Sequence, residues 1–257
     1  MAELEAAVAI VHARQPEESV LLMRRAERKG DSWSGHWSFP GGRRDAADID
    51  LLETALRELE EECGIRLRRG QVSAELPMRM ARRLAAACVP VTPFVFRADA
   101  ALPVMLDARE AAAAEWIPLR ILSDPARHRL LPIPGYPPEI RFPGVQLTGA
   151  PLWGFTYHLI CDWLGMRLEP AARSGVMAAA NFILQRLQSL GLPVEPGADG
   201  KTADVRGVIP AAAILESLSA PGPHVHSLNR VEIYPDRIRV VGREFEEYLI
   251  RGTGVPA

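Results

Sequence analysis

Cysteine is scarce in this chain. Three residues in 257, Cys63, Cys88 and Cys161, stand far apart in apolar settings, which excludes a disulfide framework and a cysteine-built zinc site. They read as buried thiols in a reducing compartment. An excess of positive charge is also missing: 30 Lys and Arg against 32 Asp and Glu give a formal net charge of −2, too little for bulk polyanion binding. No apolar run is long enough to cross a bilayer, and the start MAELEAAVAIV has neither the basic flank nor the long apolar stretch of a signal peptide. The expectation is a cytoplasmic protein that engages neither nucleic acid nor membrane. With 48% hydrophobic residues, the chain has material for one large or two modest domains with a real core.

What the chain does have is a concentrated acidic block, Arg57-Glu58-Leu59-Glu60-Glu61-Glu62-Cys63-Gly64. Asp50 followed by Glu53 starts a helix in capping-box style, with Asp at the N-cap, and Gly64 supplies the left-handed position that ends it. Leu52, Ala55, Leu56, Leu59 and Cys63 recur at helical spacing and form the stripe that faces the core. Glu58, Glu61 and Glu62, at i, i+3 and i+4, are expected together on the helix surface away from that stripe. Like charges at this spacing repel, and the C-terminal end of the helix dipole disfavours them further. A cation relieves both penalties, and an all-oxygen set favours hard Mg²⁺ or Mn²⁺ over zinc. A solvated acidic face is the plain alternative for an arbitrary run of glutamates. Before the helix, Phe39-Pro40-Gly41-Gly42 makes a tight turn where backbone can approach a metal or phosphate closely.

Taken together, the turn and helix closely resemble the Nudix hydrolase signature: Gly42, five residues, Asp48, a spacer, then Arg57-Glu58-Leu59-Glu60-Glu61-Glu62-Cys63-Gly64-Ile65. The spacer has eight residues where the common form has seven, and Asp48 stands where Glu is commoner. Both departures resemble the coenzyme A diphosphatase branch, as does Thr54-Ala55-Leu56-Arg57-Glu58. Upstream, Leu21-Leu22-Met23-Arg24-Arg25-Ala26, Gly35 and Phe39 to Gly42 follow that branch, and Trp153-Gly154-Phe155-Thr156 is similar to its last helix. Met23 replaces a Thr, the segment is one residue longer, and Asp31 holds an expected Arg position, with Arg28 and Lys29 nearby.

The resemblance implies an α/β Nudix fold, a mixed β-sheet sandwiched between helices, over residues 1–170. A small α+β appendage over 171–257 is expected to mediate dimerisation, giving a homodimer, or to shape the substrate mouth. The implied activity is Mg²⁺- or Mn²⁺-dependent hydrolysis of a pyrophosphate bond in a nucleoside diphosphate derivative. Coenzyme A or acyl-CoA is favoured; ADP-ribose, a dinucleotide, or a non-catalytic nucleotide-binding module are the alternatives. Glu58, Glu61 and Glu62 are the candidate metal ligands, with a carbonyl from the Gly41-Gly42 turn, assigned to Gly42, as a further one. Glu61, Glu62 and Arg57 are the candidate catalytic residues, Arg57 bracing the signature loop through Asp48. The general base is Glu61 or Glu62, or in a later loop Glu110 or Glu115; Glu60 points elsewhere. Arg24, Arg25 and Arg28 are either solvated loop charges or a clamp on substrate phosphates. Trp33 and Trp37 stack on an adenine or pack into core or rim.

For the rest, strands are predicted at 6–13 and 19–24, joined by a polar turn, then at 72–80, 88–97 with Pro90 and Pro93 marking irregularity or an edge, and 140–147, while 115–119 ends a further strand and leads into a short helix or turn near Leu122. A helix over 153–168 closes the first domain. Further helices are predicted at 176–190 and 211–218, a linker at 192–203, a hairpin at 231–241 and a last helix at 243–250. His224 and His226 alternate on an extended segment; two histidines without a third ligand read as surface residues.

Overall fold

The computed structural model describes residues 5–28, 33–83, 86–166, 172–219 and 225–253. They fall into two compact units, Met1–Ser123 and Asp124–Ala257.

In the first unit the elements run β1 (Ala6–Gln15), β2 (Ser19–Arg25), β3 (Trp37–Ser38), β4 (Gly41–Arg43), α1 (Leu51–Cys63), β5 (Val72–Glu75), β6 (Arg79–Arg83), β7 (Ala86–Ala100), β8 (Ala111–Pro118) and α2 (Leu119–Leu122). The sheet order is β3-β2-β1-β7-β5, with β4 on β1, β6 on β7 and β8 on β2. Only the β1–β7 pairing is parallel, from Ala6 opposite Val91 to Gln15 opposite Ala100; the others described are antiparallel. This is the expected α/β arrangement with a mixed sheet. A central strand buried on both faces reads as a nearly continuous apolar run, as AAVAIVHA does.

The predicted stripe of α1 packs on this sheet. Ala55, Leu59 and Cys63 are fully buried against Ala7, Ala9 and Val11 of β1 and Phe94 and Phe96 of β7, with Leu52 and Leu56 at the margin. Small residues at Ala7 and Ala9 let the helix lie close to the strand. Each leucine-sized side chain buried this way contributes roughly 2 kcal/mol. The prolines of β7 are not on an edge strand. Pro93 lies between the stretches of β7 paired with β6 and with β5, and its carbonyl accepts the Leu76 N–H at 2.9 Å.

The second unit carries β9 (His128–Leu131), β10 (Ile140–Gln146), β11 (Pro151–Trp153), α3 (Gly154–Trp163), α4 (Ala172–Ser189), β12 (Val194–Pro196), β13 (Thr202–Val205), α5 (Ala211–Ser217), β14 (Leu228–Ile233), β15 (Arg237–Gly242) and β16 (Glu247–Gly252). Its sheet order is β11-β10-β14-β15-β16-β13-β12, with β9 on β10. Ile183 and Leu187 of α4 and Ile214 of α5 pack with Val231, Ile238, Val240 and Ile250 of the sheet in one core.

Several expectations are corrected here. The units divide at Ser123 and not near residue 170, because β10 pairs with β14: Ile140 faces Glu232 and Arg141 faces Val231. Cutting near residue 173 would therefore split a sheet. α3 belongs to the second unit and does not close the first. The expected linker at 192–203 contains β12 and the start of β13. The expected last helix is a strand, since Tyr248 and Ile250 are buried while Glu247, Leu249 and Arg251 are not, a period of two. Cys88 is exposed, whereas Cys63 and Cys161 are buried and all three are free thiols. No helix among the described residues is long and apolar enough to cross a membrane. His224 lies outside the described residues, as do Lys29 and Asp31.

Candidate active site

The site is built where α1 meets the β4 turn. Asp50 caps the helix from an extended conformation, its Oδ1 accepting the Glu53 N–H at 2.9 Å. The Glu53 carboxylate accepts the N–H of Ile49, one residue before the cap, at 2.6 Å. Gly64, at φ 66°, ends the helix by donating its N–H to the Glu60 carbonyl at 2.9 Å. The N–H groups of Met105 and Asp107 donate to the Cys63 and Glu62 carbonyls at 2.9 and 3.3 Å, satisfying the open end of the helix.

The three glutamates are not equally exposed, which corrects the expectation of one surface cluster. The Glu61 side chain is 58% exposed and that of Glu58 16%, while Glu62 is 5% exposed. The cause is β4, which pairs with Ala6 to Val8 of β1 and lays two glycines against the helix. A Cβ on Gly42 would lie 2.4 Å from a Glu58 carboxylate oxygen, and one on Gly41, at φ 155°, would lie 2.4 Å from the Ala7 carbonyl oxygen. Only glycines admit so close an approach. The Gly41 N–H donates to Glu62 Oε2 at 2.8 Å. Gly42→Ala is therefore expected to push Glu58 out of place and to lower turnover far more than thermal stability, a split readable from parallel kinetics and melting curves.

Arg57 ties the carboxylates together. Its Nε and Nη2 donate to Asp48 Oδ1 and Oδ2, each at 3.0 Å, and Nη2 also reaches the Arg43 carbonyl at 3.1 Å. Its Nη1 forks to Glu58 Oε1 at 2.8 Å and Glu61 Oε2 at 2.9 Å. The planar guanidinium suits this geometry in a way a lysine ammonium does not. Asp48, 6% exposed, is held down to about 2, chiefly by the Arg57 hydrogen bonds. Burial raises Glu58 against the opposing pull of Arg57. Burial also pushes Glu62 up to about 8, with Gly41 opposing; the nearby charge of Glu58 adds to the rise, that of Arg25 lowers it and that of Glu110 raises it.

No group of three or more His, Cys, Asp or Glu side chains among the described residues stands assembled as a metal cage. Glu61 instead shares Arg57 with Glu58. The residues nevertheless fit a hard divalent cation. Their donors are all oxygens: Asp48, Glu58 and Glu61 meet at one guanidinium, and burial pushes Glu58 and the neighbouring Glu62 upward, a cost that a bound cation offsets. Glu58, Glu61 and Glu62 would hold such an ion, with Gly42 the adjacent backbone.

Arg24 and Arg25 lie at the end of β2 and Arg28 on the segment that follows it. Arg24 sits in β2 between Trp37 and Ala113, and the Arg25 N–H donates to the His36 carbonyl at 3.0 Å. Arg28 Nη2 binds Glu110 Oε1 at 2.9 Å and also the Arg109 carbonyl. Of the later-loop bases, Glu110 lies close enough for its charge to act on Glu62, whereas Glu115 sits in β8 opposite Leu22. Trp37 is 2% exposed, so it packs and does not stack on a ligand; Trp33 is half-buried. Glu60 is engaged with Arg66 at 2.7 Å, away from the other glutamates. The partnership of Gly41 with Glu62 and the stapling of the 105–107 segment to the end of α1 gave no signal in the sequence, because both depend on segments brought together only by the sheet.

Residues 3–134 match the NUDIX domain family model. The chain is 35% identical over 129 residues to an uncharacterized Nudix hydrolase, NudL, of Yersinia pestis (strain Pestoides F), covering 50% of this chain and 62% of that protein. It is 50% identical over 50 residues to an uncharacterized protein of Schizosaccharomyces pombe, covering 20% of this chain and 15% of that one. The chain thus spans less than two thirds of the length of these relatives. A distant structural likeness, with TM-score 0.39 and 21% identity over 46% of this chain and 75% of the other, is to the NUDIX domain of Shewanella oneidensis NrtR complexed with ADP ribose. Because the family model covers residues 3–134 of 257, just over half of the chain, this protein belongs to the NUDIX domain family.

Proposed function

We propose that this protein is a divalent-metal-dependent diphosphohydrolase that cleaves the pyrophosphate bond of a nucleoside diphosphate derivative. The observation that carries this reading is the joining of Asp48, Glu58 and Glu61 through one guanidinium, with Glu62 buried one turn away under the Gly41 amide. When bound, Mg²⁺ or Mn²⁺ supplies countercharge for the pyrophosphate oxygens and for the attacking water. Arg57 orients Glu58 and Glu61, and the Gly41 N–H orients Glu62. Arg24, Arg25 and Arg28 lie on the strand and loop from which guanidinium groups reach substrate phosphates, Arg28 exchanging Glu110 for a phosphate oxygen. The exposed Arg28–Glu110 pair is weak enough for that exchange. Glu61 or Glu110 is the base that takes a proton from water, Glu62 being held by Gly41.

Coenzyme A or acyl-CoA and ADP-ribose stand level as substrates. The eight-residue spacer ending at Arg57, with Asp48, favours the first; Met23 and Asp31 in the upstream segment depart from that branch and weigh against it. The deciding experiment is a product assay across coenzyme A, acyl-CoA, ADP-ribose, NADH and dinucleoside polyphosphates, with Mg²⁺ and Mn²⁺ compared. Binding of these compounds with no product under either metal would replace the enzyme by a nucleotide-binding module. Three free thiols fit a cytoplasmic setting. The homodimer expected from the sequence is tested by light scattering on the full chain.

The glutamates provide an internal control. Glu61→Gln is expected to lower kcat by about two to three orders of magnitude. Glu60→Gln is expected to leave it nearly unchanged, because an exposed pair such as Glu60–Arg66 contributes at most about 1 kcal/mol to stability and nothing to the site. Equal losses in the two variants would contradict the assignment of helix faces.

A further inference from the structure

Thr54 is fully buried in the first turns of α1, one helical turn before Arg57. A buried hydroxyl in a helix usually bonds back to its own helix, and Thr54 Oγ1 does lie 3.4 Å from the Asp50 carbonyl. Its shorter contact is elsewhere: Oγ1 donates to Asp48 Oδ2 at 2.8 Å. Asp48 is on the loop before the helix, where its Oδ2 also accepts the Asp45 N–H at 2.9 Å and Arg57 Nη2 at 3.0 Å. Thr54 and Arg57, on the same helix, thus grip one carboxylate from two sides. The plane of the Asp48 carboxylate fixes the plane of the guanidinium, and the remaining nitrogen of Arg57 fixes the rotamers of Glu58 and Glu61.

We propose that Thr54 is a positioning residue for the carboxylate site, acting through Asp48 and Arg57 on Glu58 and Glu61. The proposal rests on the reading of these glutamates as metal ligands. Without the hydroxyl, Asp48 keeps Arg57 and the Asp45 amide but loses the bond that holds Oδ2 to the first turn of the helix, and the fork onto Glu58 and Glu61 loosens. A threonine needed only for packing would tolerate valine, which has the same shape.

The test uses the full chain with Thr54→Val and Thr54→Ser, read by Mn²⁺ binding through the electron paramagnetic resonance signal of the free ion, by steady-state kinetics and by thermal melting. Thr54→Val is expected to weaken Mn²⁺ binding and lower kcat by about tenfold, with KM little changed. Thr54→Ser, which restores the hydroxyl but not the methyl, is expected to recover both while showing the larger packing defect in melting. Wild-type behaviour of Thr54→Val, or serine as impaired as valine, would overturn the proposal. If valine fails to fold, Thr54→Ala against Thr54→Ser isolates the same hydroxyl. Should the wild type bind Mn²⁺ yet hydrolyse nothing, the binding measurement still decides the role of Thr54 while the enzymatic reading falls.

Discussion

Glu62→Gln is expected to cut turnover by about three orders of magnitude while leaving the metal-free protein at least as stable as the wild type. Function and stability part here because the carboxylate is buried at 5% exposure and accepts the Gly41 backbone N–H. The amide oxygen of glutamine accepts the same bond from Gly41 without a charge to desolvate, but it cannot give a cation an anionic ligand. The pH dependence follows in sign. Glu62 titrates at about 8 in the folded protein against 4.5 ordinarily, so folding takes up a proton between those values. Its contribution to metal-free stability is full below about 4.5 and is lost as pH rises through about 8. Melting curves in EDTA from pH 5 to 8 should therefore show the variant gaining on the wild type as pH rises, and saturating Mn²⁺ should stabilise the wild type more than the variant. A variant that melts well below the wild type at pH 8 in EDTA would contradict the burial account.

Arg57→Ala is expected to be the most destabilising single change at the site, costing about 3 to 5 kcal/mol in urea unfolding as well as activity. The substitution strands Asp48, whose carboxylate is nearly enclosed and accepts two of the guanidinium's bonds. Asp48 titrates at about 2 folded against 3.8 ordinarily, so its stabilisation is present above 3.8 and lost as pH falls through about 2. The gap between Arg57→Ala and the wild type should accordingly close in acid. Arg57→Lys keeps a positive charge but not the fork that reaches Asp48, Glu58 and Glu61 at once. It should recover part of the stability and little of the turnover. Full activity in Arg57→Lys would show that charge alone, without orientation, is what the site requires.

Where the chain could be read directly, the signal was local. Asp50, Glu53 and Gly64 marked the ends of α1 because caps are decided by side chains within a few residues of the bond they make. The β1–β2 hairpin and the stripe of Leu59 and Cys63 were legible for the same reason. The failures share the opposite cause. Residues 248–250, Tyr-Leu-Ile, form a short apolar run that suits a helix or a strand, and pairing with β15 on one edge and β13 on the other chose the strand. The unit boundary was misplaced by about 47 residues, from 170 to 123, because β10 gives no local sign that its partner, β14, lies some ninety residues later.

The sequence by itself determined the helix, its glycine turn and the three helical carboxylates beside one arginine, since spacing along a helix fixes which side chains are neighbours; Asp48 was joined to them only by the family resemblance. Only the tertiary structure decided their depth: laying Gly41 and Gly42 along β1 buried Glu62, covered most of Glu58 and left Glu61 open. Depth sets the cost of charge, and with it which carboxylate most needs a cation, so that difference could arise only once strand and helix met.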